Sequence, residues 1–170
     1  MTVRLATLDD AKMMGEIHYY TWLSTYARII DEGFLKAQSI QKSIEIFKKN
    51  QCLNHLVVEV DDQIVGFVGY GSSRDQDLLG YGEIQGLYVL KAYQHQGCGK
   101  ALLDEALKIL HNMGYQKVNL WVLKDNQQAI RFYEQQGFHH DGTEKQLLLG
   151  RPITEWRFQK EINHGTEDNN

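Results

Sequence analysis

The chain has 170 residues, 42% hydrophobic and 24% charged, which suits one globular domain with a buried core. Eighteen basic and 22 acidic side chains give a formal net charge of −4, so no basic field favours nucleic acid or an anionic membrane surface as a partner. Two cysteines, no signal-peptide core and no membrane-length apolar run predict a protein of the reducing cytoplasm.

The first half of the chain combines predicted strands and helices. Thr7 followed by Asp10 fits a capping box in its acidic variant, so a helix should begin at Leu8. A short polar turn between two β-branched runs predicts a hairpin. The predicted elements are a strand at 3–6, a helix at 8–24, a helix within 31–50, hairpin strands at 55–60 and 64–71, and a strand at 81–90.

The second half alternates strand and helix. Leu102, Ala106, Ile109 and Met113 step by four, three and four, which is a helical stripe. The predicted elements are a helix at 99–113, a strand at 117–122, a helix at 125–136 capped by Asp125 or Asn126, a strand at 138–143, a turn containing Gly150 and Pro152, and a strand at 153–162. This series predicts a mixed α/β sheet in a single domain, 1–163, with a disordered polar tail at 164–170.

The stretch 94–100, QHQGCGK, joins a predicted strand to a predicted helix. A dinucleotide fingerprint would need a third glycine where Leu102 stands, and a P-loop would need a glycine where Gln94 stands. Two interpretations remain open. The loop could cradle a phosphate or pyrophosphate on the first amides of the helix, with Gly97 and Gly99 allowing close approach, or it could be a plain turn.

The loop and the helix after it resemble the GNAT superfamily of N-acetyltransferases. Gln94-x-x-Gly97-x-Gly99 matches the family signature Gln/Arg-x-x-Gly-x-Gly/Ala. Asn126–Phe138 matches its following helix, Asn-x-x-Ala-x-x-Phe-Tyr-x-x-x-Gly-Phe. The resemblance is strong over 81–138, and TWLSTYARII near the N-terminus is similar to a segment of a bacterial subgroup.

The resemblance implies the GNAT fold, an α/β (α+β) class. Its mixed, strongly bent sheet has about six to seven strands, with helices on both faces. Two central parallel strands, here 81–90 and 117–122, would splay apart around the co-substrate acetyl-CoA. Alternation along the first of them places Glu83, Gln85, Leu87 and Val89 on one face.

The resemblance also implies roles. The loop amides would hold the CoA pyrophosphate, the strand end Leu87–Val89 would bind the pantetheine arm, and Tyr133 would protonate the departing thiolate as a general acid. The alternatives are a buried strand end, a core aromatic, and for Asn126 a helix N-cap. The residues implied to bind acetyl-CoA are Leu87, Tyr88, Val89, Gln94, His95, Gln96, Gly97, Cys98, Gly99, Lys100, Asn126, Ala129 and Tyr133.

The acceptor amine must lose a proton before it can attack. Glu83 is the candidate base, and an ordinary ion-paired strand glutamate is the alternative. An aromatic and acidic wall could hold an amine by cation–π contacts, although aromatic residues on helices are more often core. The candidate acceptor residues are Tyr19, Trp22, Tyr26, Glu32 and Gln85. The seven histidines show no metal-ligand spacing, so no metal is expected.

Two functions follow as hypotheses. The first is transfer of an acetyl group from acetyl-CoA to a primary amine of a small molecule or peptide, by direct attack in a ternary complex. The alternative is a non-catalytic acyl-CoA-binding or regulatory module with the same fold. The presence of both Glu83 and Tyr133 favours the enzyme. We expect no nucleic-acid or membrane partner, the resemblance suggests a homodimer, and the acceptor stays open.

Overall fold

The computed structural model describes residues 1–27, 31, 33–34 and 39–162. Within them, one sheet has the strand order β1-β2-β3-β4-β5-β7-β6. Its strands are β1 (Thr2–Leu5), β2 (His55–Val60), β3 (Gln63–Ser72), β4 (Gly82–Val89), β5 (Lys117–Leu123), β6 (His139–Leu148) and β7 (Pro152–Glu161). The helices are α1 (Ala11–Tyr26), α2 (Ile40–Lys49), α3 (Cys98–Asn112) and α4 (Gln127–Gln135).

The sheet is mixed, as predicted. Neighbouring strands are antiparallel except β4 and β5, which are parallel. Their pairing covers Gly82 with Val118 and Glu83 with Asn119. Because both strands continue well past these pairs, they separate toward their carboxyl ends. The predicted splay of the two central strands is therefore confirmed.

Helices cover both faces of the sheet. On one face α3 and α4 bury residues such as Leu102, Leu103 and Ile130 against β2–β5 and β7. On the other face α1 and α2 bury residues such as Met14 and Phe47. Burial of these apolar side chains is the main source of fold stability. It also fixes the two central strands on which the site is built.

The N-terminal helix begins as predicted, with one difference. The Thr7 backbone N–H donates to Asp10 Oδ2 at 2.8 Å, so the capping box is present. Its first turn, Leu8–Asp10, is a 3-10 helix rather than α-helix. Further along, a Cβ placed on Gly15 would lie 2.6 Å from the backbone N of Ile44. The close packing of α1 on α2 therefore requires glycine at this position.

Most predicted element ends move by one or two residues, and three differences concern larger shifts or special residues. Of the helix predicted within 31–50, residues 33–34 are helical and a separate helix, α2, begins after the Ser39 N-cap. β6 is longer than predicted because a register shift after His140 accommodates Gly142 at φ +86° and lets pairing resume. Pro152 is the first residue of β7 rather than a turn residue, a position that proline tolerates. The predicted tail, 164–170, lies outside the described residues.

Candidate functional site

A cavity of about 1150 Å³ opens where β4 and β5 separate. We divide its lining into two halves. The loop half consists of Gln94, His95, Gly97, Gly99, Lys100, Asn126, Gln128, Ala129, Arg131, Phe132, Tyr133 and Gln135. The strand half consists of Thr21, Trp22, Ser24, Arg74, Asp75, Glu83, Gln85, Trp121, Leu123, Lys145, Leu147, Leu149 and Glu155. Between the halves lie the carboxyl-terminal part of β4 and the middle of β5.

Gly97 shapes the loop half. It is the N-cap of α3 with φ +89°, a backbone conformation that only glycine adopts without strain. The nearest atom to a Cβ placed there would be Met1 Cε at 3.8 Å, so the backbone angle, not lack of space, requires glycine. The first N–H groups of α3 have no intrahelical partner, and they carry the positive end of the helix dipole. An anionic group fits this end of the cavity.

The side chain of Gln94 ties the loop to its neighbours. Its Nε2 donates to the carbonyl of Val89 at 3.0 Å, and Gln128 Nε2 donates to its Oε1 at 3.4 Å. These bonds hold the end of β4, the loop and α4 together. Lys100 is exposed and forms an ion pair with Asp104, one turn further along α3.

Two residues of the predicted CoA set do not line the cavity. Gln96 is exposed, and its Nε2 donates to the carbonyl of Ala92 at 3.1 Å. Cys98 is 2% exposed and belongs to the core under α3. The other predicted residues of that set all line the cavity.

The end of β4 offers an open backbone edge. Leu87, Tyr88 and Val89 pair with β3 on one side, whereas β5 pairs only with the first two residues of β4. Their other edge therefore faces the cavity without a partner strand, and of its polar groups the Val89 carbonyl accepts from Gln94. Such an edge can hydrogen-bond an extended, amide-containing ligand.

A bulge in β4 corrects the predicted alternation. Gly86 pairs with Gly69 and Ile84 with Tyr70, so Gln85 is an extra residue. As a result, Ile84 shares the α3-side core with Leu87 and Val89, although the alternation placed it on the opposite face. A bulge reverses the faces because side chains alternate with period two.

Tyr133 lies in α4 with its side chain 9% exposed at the cavity wall. Its ring packs edge-on against Phe132 and Phe138. Burial raises its pKa above the ordinary value of 10, and the nearby Tyr88 phenol raises it further. The described residues supply no hydrogen bond to its hydroxyl. A protonated phenol is therefore free to donate to a group bound in the cavity.

Asn126 caps α4. Its Oδ1 accepts a hydrogen bond from the Ala129 backbone N–H at 3.2 Å. The N-cap interpretation is confirmed, and a contact with a ligand remains a prediction.

Glu83 is 1% exposed and paired with a residue that the sequence analysis did not single out. Its Oε1 accepts from the Arg74 backbone N–H at 2.9 Å, and its Oε2 accepts from Arg74 Nη2 at 2.6 Å. The ion-pair interpretation is thus confirmed. Whether Glu83 also takes a proton stays a prediction.

A buried arginine organises the floor of the strand half. Arg157, 5% exposed, donates to Asp77 at 2.8 Å, to Asp141 at 2.6 Å and to Asp75 at 3.3 Å. Burial raises the pKa of Asp141, but its hydrogen bonds, with that from Arg157 the largest, hold the pKa below its ordinary value. Asp75 also accepts from Trp121 Nε1 at 2.9 Å. This network fixes the orientation of the Trp121 indole at the cavity wall.

The predicted acceptor residues are distributed unevenly. Trp22 and Gln85 line the strand half. Tyr19 does not line the cavity, and its ring packs edge-on against Tyr20. The side chain of Tyr26, and Glu32 as a whole, lie outside what is described.

Several residues of the strand half were missed from the sequence. Alternation along β7 could have placed Glu155 and Arg157 on one face. The hairpin of β6 and β7 could also have placed Lys145 opposite Glu155, whereas nothing in the sequence pairs that face with Arg74 or Asp75. The strand half is therefore a product of tertiary structure.

Neither a metal cluster nor a membrane span is found in the described residues. No group of three or more His, Cys, Asp or Glu side chains there could hold a metal ion. None of the helices in those ranges is long and apolar enough to cross a bilayer.

Comparison with known proteins gives the family. The model of the acetyltransferase (GNAT) family matches residues 15–138. An uncharacterised N-acetyltransferase of Bacillus subtilis, YuaI, is 32% identical over 136 residues, which span 79% of this chain and 78% of that protein. A spermidine N(1)-acetyltransferase of Thermoplasma acidophilum is 27% identical over 151 residues, 84% of this chain and 90% of that protein.

Comparison with solved structures supports the same fold. The crystal structure of the PaiA N-acetyltransferase of Thermoplasma acidophilum, in complex with coenzyme A, superposes with a TM-score of 0.78 at 23% identity, covering 94% of this chain and 98% of that one. The splayed strands, the glycine loop at the start of α3 and the family match lead to one conclusion. The chain belongs to the GNAT family and is an N-acetyltransferase whose co-substrate is acetyl-CoA.

Proposed function

We propose that the chain transfers the acetyl group of acetyl-CoA to a primary amine by direct attack in a ternary complex. The observation that carries this proposal is the single cavity of about 1150 Å³ in which the loop half and the strand half meet. A donor in the loop half and an acceptor in the strand half would be present together. Holding two reactants side by side removes much of the entropic cost of the reaction.

On the donor side, the loop and β4 supply complementary groups. The N-terminus of α3 behind Gly97 would bind the pyrophosphate, and the open edge of Leu87–Val89 would bind the pantetheine amides. The Tyr133 hydroxyl would give its proton to the departing sulfur. The lack of a hydrogen bond to that hydroxyl among the described residues supports this role.

On the acceptor side, the strand half combines carboxylates with indole and aliphatic walls. Carboxylates outnumber cations in and beneath this half, which suits a cationic amine better than an anionic acceptor. The carboxylates are Asp75, Asp77, Glu83, Asp141 and Glu155, and the cations are Arg74, Lys145 and Arg157. Polyamines come first among the amines to be tested, since a relative is named a spermidine N(1)-acetyltransferase.

The test is release of CoA thiol from acetyl-CoA with a panel of polyamines, amino acids, aminoglycosides and peptides. We expect amine-dependent thiol release, an acetylated amine by mass spectrometry, and intersecting initial-velocity lines when both substrates are varied. Parallel lines would indicate an acetyl-enzyme and refute direct attack. Acetyl-CoA binding without turnover across the panel would support the non-catalytic binding module instead.

We further propose a cytoplasmic enzyme that forms a homodimer without nucleic-acid or membrane partners. The two cysteines, Cys52 and Cys98, are buried and unpaired, which is consistent with a reducing compartment. Light scattering coupled to size-exclusion chromatography tests the oligomeric state, and a monomer at micromolar concentration would refute the dimer.

A further inference from the structure

The strand half contains a carboxylate that the fold leaves weakly satisfied. Glu83 and Asp75 each accept hydrogen bonds shorter than 3 Å from neighbouring donors. Glu155 differs, because no N–H or O–H in the described part of the chain donates to its carboxylate. Its ion pair with Lys145 is long, since the Lys145 Nζ lies 4.0 Å from Oε1. A carboxylate removed from water normally has closer partners.

Glu155 lies where the central strands are furthest apart. It lies on β7 opposite Leu123, the last residue of β5, at the wide end of the splay. Its side chain is 17% exposed and lines the cavity. The charge of Glu155 reaches Tyr88 on the opposite strand, where it adds to the effect of burial in raising the phenol pKa. Glu155 and the β4 edge, Leu87–Val89, line the same cavity.

Lys145, the ion-pair partner of Glu155, also contacts the Trp121 indole. Lys145 Nζ lies 4.0 Å from the centroid of the Trp121 ring, a cation–π distance. An incoming ammonium could therefore approach Glu155 while Lys145 remains on the indole. The fold already shows that this carboxylate accepts a cationic neighbour at its edge.

We propose that Glu155 binds the ammonium group of the acceptor amine and takes its proton. This inference rests on the proposed acetyl transfer. One N–H proton moves to a Glu155 oxygen, directly or through one water, and the freed lone pair of nitrogen forms the bond to the thioester carbonyl carbon. The C–S bond then breaks, and the sulfur leaves with that electron pair and takes the Tyr133 proton. The excess proton on the product nitrogen returns the Tyr133 phenolate to its phenol form, and the proton held by Glu155 passes to solvent, so one proton is released for each acetyl group transferred.

The charges around Glu155 suit this task. Burial raises its pKa, while Lys145 on β6 and Arg74 after β3 lower it and Glu83 on β4 raises it, with a net upward shift. A carboxylate whose pKa is raised toward neutrality is a better general base. The remaining ionisable group facing it is the Tyr88 phenol, which burial keeps protonated.

The experiment compares the pH dependence of kcat/KM for the best amine in four proteins: wild type, Glu155→Gln, Glu83→Gln and Glu161→Gln. Glu161 is a matched control, since it is an exposed glutamate of the same strand outside the cavity. We expect Glu155→Gln to lower kcat/KM about 100-fold at pH 7. It should also lose the acid limb of the wild-type profile, which is the fall in kcat/KM at low pH as the base becomes protonated. Its acetyl-CoA Kd, measured by calorimetry, should stay within about threefold of wild type, which also shows that it is folded.

Other outcomes decide against the proposal. Glu155→Gln with kcat/KM within about threefold of wild type and an unchanged acid limb would overturn it. Loss of that limb in Glu83→Gln alone would transfer the role to Glu83. A Glu155→Asp variant should retain the limb, because it keeps a carboxylate. If wild type releases no thiol with any amine while acetyl-CoA still binds, the acetyl transfer itself fails, and the Glu155 proposal fails with it.

Discussion

Replacing Tyr133 by phenylalanine is the sharpest test of the donor half. The substitution removes one hydroxyl from a side chain that is 9% exposed and keeps the ring contacts with Phe132 and Phe138. No hydrogen bond to that hydroxyl is lost within the described residues. We therefore expect the free energy of unfolding to change by less than about 1 kcal/mol.

Catalysis should respond far more strongly than stability. A positioned general acid contributes about 10²–10⁴ in rate, which is about 2.7–5.4 kcal/mol of barrier at 1.36 kcal/mol per decade. We expect kcat to fall at least 100-fold while the acetyl-CoA Kd stays within about threefold. Because burial raises the Tyr133 pKa above 10, the phenol stays protonated across the assay range. The wild-type kcat should accordingly show no alkaline fall due to Tyr133 between pH 6 and 9.5.

The assay is steady-state thiol release at saturating amine, with calorimetry for acetyl-CoA binding. Tyr70→Phe is the matched control, because Tyr70 is a buried tyrosine of β3 outside the cavity; its kcat should stay within about twofold of wild type. A Tyr133→Phe enzyme with kcat within about threefold of wild type would remove Tyr133 from the acid role.

Three further changes test the loop and the scaffold. Gly97→Ala places a β-carbon on a backbone with φ +89° and should raise the acetyl-CoA Kd at least tenfold by calorimetry. Gly142→Ala is the control, since Gly142 has φ +86° and no atom within 4 Å of the new carbon. It should lower the free energy of unfolding by a similar amount, about 1 kcal/mol, without affecting that Kd. Arg157→Met removes the ion-pair partner of the partly buried Asp75 and Asp141 and should destabilise the fold by about 2 kcal/mol at pH 7 in urea denaturation. Because the folded pKa of Asp141 is depressed below 3.8, the stabilisation from its ion pair with Arg157 is present above pH 4 and is lost as pH falls through the folded pKa. The difference in unfolding free energy between wild type and Arg157→Met should therefore narrow at pH 3. Gly15→Ala should lower the melting temperature by about 2–4 °C, since overpacking against α2 outweighs the gain in helix propensity; an unchanged melting temperature would contradict this close packing.

Local signals in the sequence were sufficient for most of the elements. The Thr7 capping box, the stripe of Leu102, Ala106 and Ile109, and the Asn126 cap depend on residues within a few positions of one another, so propensity and spacing reveal them. The fourth predicted member of that stripe was wrong, because Met113 lies past the end of α3 and is exposed. The glycine at 97 likewise reports a local backbone angle. The other errors occurred where pairing with a distant strand decides the outcome, as at the Gln85 bulge and in the length of β6.

The sequence by itself determined the donor half of this protein, because its glycine loop and its Asn–Tyr helix are contiguous motifs. Only the tertiary structure decided the acceptor half. Arg74 reaches Glu83 across a chain reversal, and Lys145 on β6 contacts both Glu155 on β7 and Trp121 on β5. Such contacts depend on strand order and register, which are set by the packing of the whole sheet, and they leave no periodic trace in the sequence.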